Sequence, residues 1–118
     1  MVLPVLIALK DLYHDLHWKA HSYQEHLMFQ RLYESVDKEI DPTGELLAGT
    51  IGLDMTASER LKQAASVLDR FGSNYRAMEG HLQEVSDSFK ARIPKIGHHF
   101  EQMTVNSMER LYIASLGR

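Results

Sequence analysis

Cysteine is absent from the 118 residues, which excludes disulfide scaffolds, thiolate zinc sites and cysteine nucleophiles and leaves the redox compartment open. Proline is scarce at three and glycine at seven. Alternating β-branched runs are missing too, so the whole chain reads as helical. No apolar run approaches the roughly 18 residues of a transmembrane helix. The stretch Met1–Leu9 is apolar but short, with no basic n-region and no cleavage site; it is expected to be a core helix of a soluble, cytoplasmic protein rather than a signal peptide. Positive charge is not in excess either: the formal net charge is −3, which gives no general attraction to DNA or to an acidic membrane. No Ser-His-Asp arrangement, phosphate loop or nucleic-acid motif is legible. There is no repeat, low-complexity tract or linker, and the length fits one domain, 1–118.

What is present is helical periodicity. Leu9, Leu12, Tyr13, Leu16 and Ala20 recur at three- and four-residue steps and predict a first helix over about 3–20. Ser22 is a candidate N-cap for a second helix over about 23–49, with Phe29, Leu32, Val36 and Ile40 on its apolar stripe. His26, Gln30, Asp37, Asp41 and Glu45 fall on the neighbouring arc. Pro42 is expected to kink this helix, or to open a fresh one capped by Asp41. Thr56 or Ser58 caps a shorter helix that ends at Gly72. Ser73 or Asn74 starts the next, with Met78, Leu82, Val85 and Phe89 on one stripe. Pro94 opens the last, whose core face is Ile96, Phe100, Met103, Ser107, Leu111 and Ala114. The Met and Phe residues of these last two helices are expected in the core. The class is therefore all-α, a four-helix bundle with a short extra helix in a long crossover, which is the ferritin-like connection.

Histidine is abundant: seven in all, four of them between His14 and His26. Imidazole nitrogens and carboxylate oxygens at helical spacing are the ingredients of a transition-metal site built between helices. Asp41 and Glu45, four apart, face the same way and can share an ion. Each feature also has a plainer reading. His17 alone is a core-edge histidine, Asp41 and Glu45 alone are a solvated acidic face, and Trp18 is interface packing. His98 and His99 are adjacent and point in different directions. His81 is expected to be exposed, and Asp37 to face solvent or to stand behind the metal ligands.

Residues 16–47 resemble the small ferritins of the Dps family, the DNA-protecting proteins of starved bacterial cells. The resemblance rests on Leu16-His17-Trp18 at the end of the first helix, His26 at the start of the next, Leu32-Tyr33, and Asp41 preceding Glu45 by four, followed by Leu46-Leu47. About a quarter of the chain carries it. It implies a ferritin-like bundle assembled as a dodecameric cage, or at least a two-fold dimer. It implies a ferroxidase that oxidises Fe²⁺ with peroxide or oxygen and stores the ferric product. The iron ligands would be His17 and His26 from one chain and Asp41 with Glu45 from its two-fold mate. Three positions depart from the family pattern. The segment between His17 and His26 is about three residues shorter and lacks a turn glycine. Gln30 stands where the family has a carboxylate ligand. Pro42 and Gly44 lie between the two acids. The family's lysine-rich DNA-binding tail has no counterpart before the first helix. Two alternatives stand beside the ferroxidase: a structural or assembly protein with a degenerate metal centre, and a DNA-binding protector without ferroxidase activity.

Overall fold

The computed structural model describes residues 2–117, and among them every regular element is helical. Helix α1 spans Val2–Trp18, α2 Tyr23–Thr50, α3 Ala57–Phe71, α4 Tyr75–Arg92 and α5 Gly97–Leu116, with a single 3₁₀ turn at Pro94–Ile96 before α5.

The helix starts are written in side chains that satisfy free backbone N–H groups. Ser22 Oγ accepts from the Glu25 amide at 3.1 Å, and Asn74 Oδ1 from the Ala77 amide at 3.1 Å. Thr56 accepts from the Glu59 amide, and its hydroxyl donates to the Glu59 carboxylate. The α3 stop is a glycine because Gly72 sits at φ 57°, where a Cβ is penalised. Helix α2 runs through Pro42 without a break, and Asp41 caps nothing. Pro42 leaves only the Lys38 carbonyl without its helical donor, and both residues are on the exposed side of the helix.

Helix α1 packs on α2, α3 and α4, and α5 packs on α2 and α4. Tyr13, near the end of α1, meets Phe29 at the start of α2 and Tyr75 at the start of α4. Thr43 late in α2 is hydrogen-bonded to His99 early in α5, and Phe89 late in α4 stacks on Phe100. The four long helices therefore run up, down, down and up, and α3, packed on α1 and α4, carries the chain from the end of α2 back to the start of α4. One apolar core joins them, with Leu6, Leu9, Leu32, Met78, Leu82 and Phe100 fully enclosed. Met108 does not join it and is 58% exposed, contrary to the expectation that all the methionines of the last two helices are internal.

A polar layer crosses this core. Arg110 of α5 is 1% exposed, and its Nε and Nη2 donate to the two oxygens of Glu79 in α4 at 2.7 and 2.9 Å. Its Nη1 donates to Glu39 Oε1 at 3.0 Å and to Ser35 Oγ at 3.1 Å, both in α2. Tyr13 of α1 and Ser107 of α5 donate their hydroxyls to Glu79 at 2.6 and 2.7 Å. Each long helix thus contributes a group to one network. Burial on its own would lower the Arg110 pKa, but hydrogen bonding and attraction from Glu79 and Glu39 outweigh it and raise it. Burial, then Glu79, pushes the Tyr13 phenol far up.

Two carboxylates share one guanidinium, and Glu39 Oε2 is buried without a hydrogen-bond partner among the described residues. Burial pushes the Glu39 carboxyl up, with Arg110 pulling it part of the way back. The fold therefore disfavours the ionised form. That charge reduces stability as pH rises above the ordinary value of 4.5 and through the raised folded value. Glu39→Gln removes the charge and keeps an oxygen for Arg110. Urea unfolding at pH 8 is expected to find this variant at least as stable as wild type, with the difference shrinking or reversing towards pH 5. A variant clearly weaker at pH 8 than at pH 5 would refute the assignment.

Candidate metal half-sites

The turn between α1 and α2 is closed by the two histidines themselves. His17 Nδ1 lies 2.9 Å from the His26 carbonyl oxygen, and His26 Nδ1 lies 3.1 Å from the His17 carbonyl oxygen. A carbonyl only accepts, so each Nδ1 carries the proton and donates it. In the neutral ring the lone pair then sits on Nε2. The two rings are stacked, with centroids 3.8 Å apart. Ligating histidines are held in this way, with the second ring N–H anchored to a carbonyl that fixes both tautomer and orientation. Both residues are half-buried.

Around the pair lies an aromatic surface. The His14 ring packs against Trp18 and Tyr33, with centroids 3.9 and 4.3 Å away and ring planes tilted by 32° and 33°. Trp18 is 68% exposed and Tyr23 is 76% exposed. His14 and His17, three residues apart on α1, have ring centroids 6.2 Å apart.

Asp41 and Glu45 are both on the outer face of α2, exposed, and in no ion pair among the described residues. Asp41 is fifteen residues from His26 along one continuous helix, about 22 Å at 1.5 Å per residue. One chain therefore keeps the histidines and the acids apart as two separate groups. Among the described residues no group of three or more His, Cys, Asp or Glu is placed to hold a metal ion. Gln30 is exposed and donates to Glu34 Oε1 at 3.1 Å, and Asp37 is paired with Lys10 at 3.4 Å.

The remaining histidines go elsewhere. His99 is hydrogen-bonded to Thr43 at 2.8 Å, while His98 beside it is exposed. His81 is half-buried against Phe71 rather than exposed, and burial together with Arg70 lowers its pKa. A cleft of about 110 Å³, lined by Leu3, Leu47, Arg60 and Phe89, lies at the other end of the bundle from the histidine pair.

The layer around Arg110 is the feature the sequence pattern did not single out. Its signal is there: Arg110 follows Ser107 by three and precedes Ala114 by four, on the core arc of α5. Among the described residues no helix is long and apolar enough to cross a membrane. Comparison with protein-family models, curated proteins and solved structures finds no match.

Proposed function

We propose that the protein is a Dps-like mini-ferritin that binds and oxidises Fe²⁺ between two copies of its chain. The observation that carries this reading is the reciprocal lock of His17 and His26. It leaves the Nε2 lone pairs of two half-buried rings for a ligand, with exposed Tyr23 6.4 Å from the His26 ring. The unpaired Asp41 and Glu45 are the complementary half. The midpoint of His26 and Asp41 falls at residues 33–34. An antiparallel pairing of two α2 helices about that point sets the histidines of one copy across from the acids of the other. A two-fold axis produces that match twice. The up-down-down-up order with α3 in the long connection supports a ferritin-like bundle.

Iron is the substrate. Imidazole accepts Fe²⁺, and carboxylates favour the ferric product. Two Fe²⁺ ions give one electron each to hydrogen peroxide, whose O–O bond breaks, and two protons complete two waters. The chain's part is to bring the metal to fixed nitrogens and anionic oxygens while leaving a position open for oxidant. The ferric product is retained where the assembly closes into a cage.

A second reading is a scaffold with a degenerate centre. Gln30 favours it, because a neutral amide engaged with Glu34 stands where the family has a carboxylate. Fe²⁺ added with peroxide or in air, followed by the rise of ferric absorbance, separates the two. Oxidation well above the buffer rate, lost in His26→Ala and in Glu45→Ala, supports the enzyme. A rate equal to buffer supports the scaffold.

A further inference from the structure

Helix α5 has two apolar faces. At about 100° per residue, Phe100, Met103, Ser107, Arg110 and Ala114 point into the bundle. Val105, Met108, Tyr112 and Leu116 lie on the opposite arc and are 42%, 58%, 64% and 64% exposed. The outer side of a surface helix is ordinarily polar. The patch continues onto α2, where Leu27 is 44% exposed. There a groove of about 240 Å³ between α2 and α5 is lined by Leu27, Met28, Arg31, Ile113 and Leu116.

We propose that this face binds a second copy of the chain, with the two α5 helices antiparallel about a two-fold axis near residue 110. In that arrangement Val105 packs against Leu116 of the partner subunit, and Met108 against Tyr112 of the partner subunit. The charges at the rim agree with it. Arg31 borders the groove beside Leu116, and Glu109 flanks the stripe; both are exposed and neither is ion-paired among the described residues. Antiparallel pairing lays residues 105–109 of one copy over the groove of the other and brings Glu109 of the partner subunit towards Arg31. Five large side chains at these exposures present on the order of 500 Å². Two such faces remove about 1,000 Å² from water, the lower bound of a specific interface. The face uses none of the residues assigned to iron. Two self-complementary faces on one chain close into a tetramer if their axes cross at right angles.

Light scattering on the full chain tests this. Met108→Glu/Tyr112→Glu is expected to halve the mass of the wild-type assembly at unchanged helicity by circular dichroism, because both side chains already face solvent. Glu109→Arg should weaken the assembly, and adding Arg31→Glu should restore it. Equal masses for wild type and the double-glutamate variant would overturn the proposal. So would a monomeric wild type, and one whose α5 face binds a hydrophobic dye would assign that face to another partner. Iron oxidation is read separately by ferric absorbance, so a failure of the metal reading leaves the mass comparison intact.

Discussion

Mixing two inactive variants is expected to restore about a quarter of the wild-type Fe²⁺ oxidation rate, if each site is shared across a two-fold axis. One variant carries His17→Ala and His26→Ala; the other carries Asp41→Asn and Glu45→Gln. Each alone should fall to the buffer rate, because each homodimer lacks one half of both sites. Unfolding the two together in urea and refolding allows chains to exchange. Half of the dimers are then mixed, and in each mixed dimer one site joins intact histidines to intact acids while the other has lost both. The acidic variant should refold as wild type does, since Asp41 and Glu45 are exposed and unpaired. The histidine variant removes both hydrogen bonds that close the α1–α2 turn, so its helicity must be checked before its activity is read. A mixture no faster than its separate components would exclude a shared site. An intrachain site is already opposed by the roughly 22 Å of helix between His26 and Asp41.

Much of the fold was legible because its helix boundaries are chemical. Thr56, Asn74 and Gly72 mark their ends by side-chain caps and a left-handed glycine, all short-range effects. Pro42 opens no fresh helix: α2 continues through it, because a proline on an exposed helix face deprives only one carbonyl of its donor. Pro94 was placed one element too late: it opens a 3₁₀ turn, and α5 starts at Gly97. The histidine pair and the two acids were legible as residues, but the hydrogen bonds that fix the two imidazoles were not. Their acceptors are backbone carbonyls brought together by a glycine-free turn, and side-chain spacing carries no record of them. Met108 and the Arg110 layer were hidden for opposite reasons. An apolar residue is read as internal and a charged one as external, and each rule fails where a surface is meant to be covered or a charge is matched inside.

Replacing Arg110 should be the most destabilising single change in the molecule. Arg110→Met leaves Glu79 and Glu39 in the core with no cation, and removing one partner of a buried ion pair costs about 3–5 kcal/mol. Domains of this size are stable by about 5–15 kcal/mol, so the variant should approach unfolding at moderate temperature. Arg110→Lys should fail nearly as badly, because an ammonium cannot reproduce the paired donation to Glu79 and the third contact to Glu39. The informative comparison is the triple variant Arg110→Met/Glu39→Leu/Glu79→Gln. It removes all three charges; the new amide at position 79 accepts through its oxygen from one of the Tyr13 and Ser107 hydroxyls, and its N–H donates to the other, which turns to accept. If the loss in Arg110→Met comes from stranded charge, the triple variant should regain most of it, since uncharged replacements of similar volume often equal a buried ion cluster. If it comes from lost volume or shape, the triple variant should be no better than the single one. Urea midpoints for wild type, single and triple variants at one pH decide between them. A loss below about 1 kcal/mol in Arg110→Met would mean that water reaches the carboxylates once the guanidinium is gone, and that the layer is not sealed by its packing.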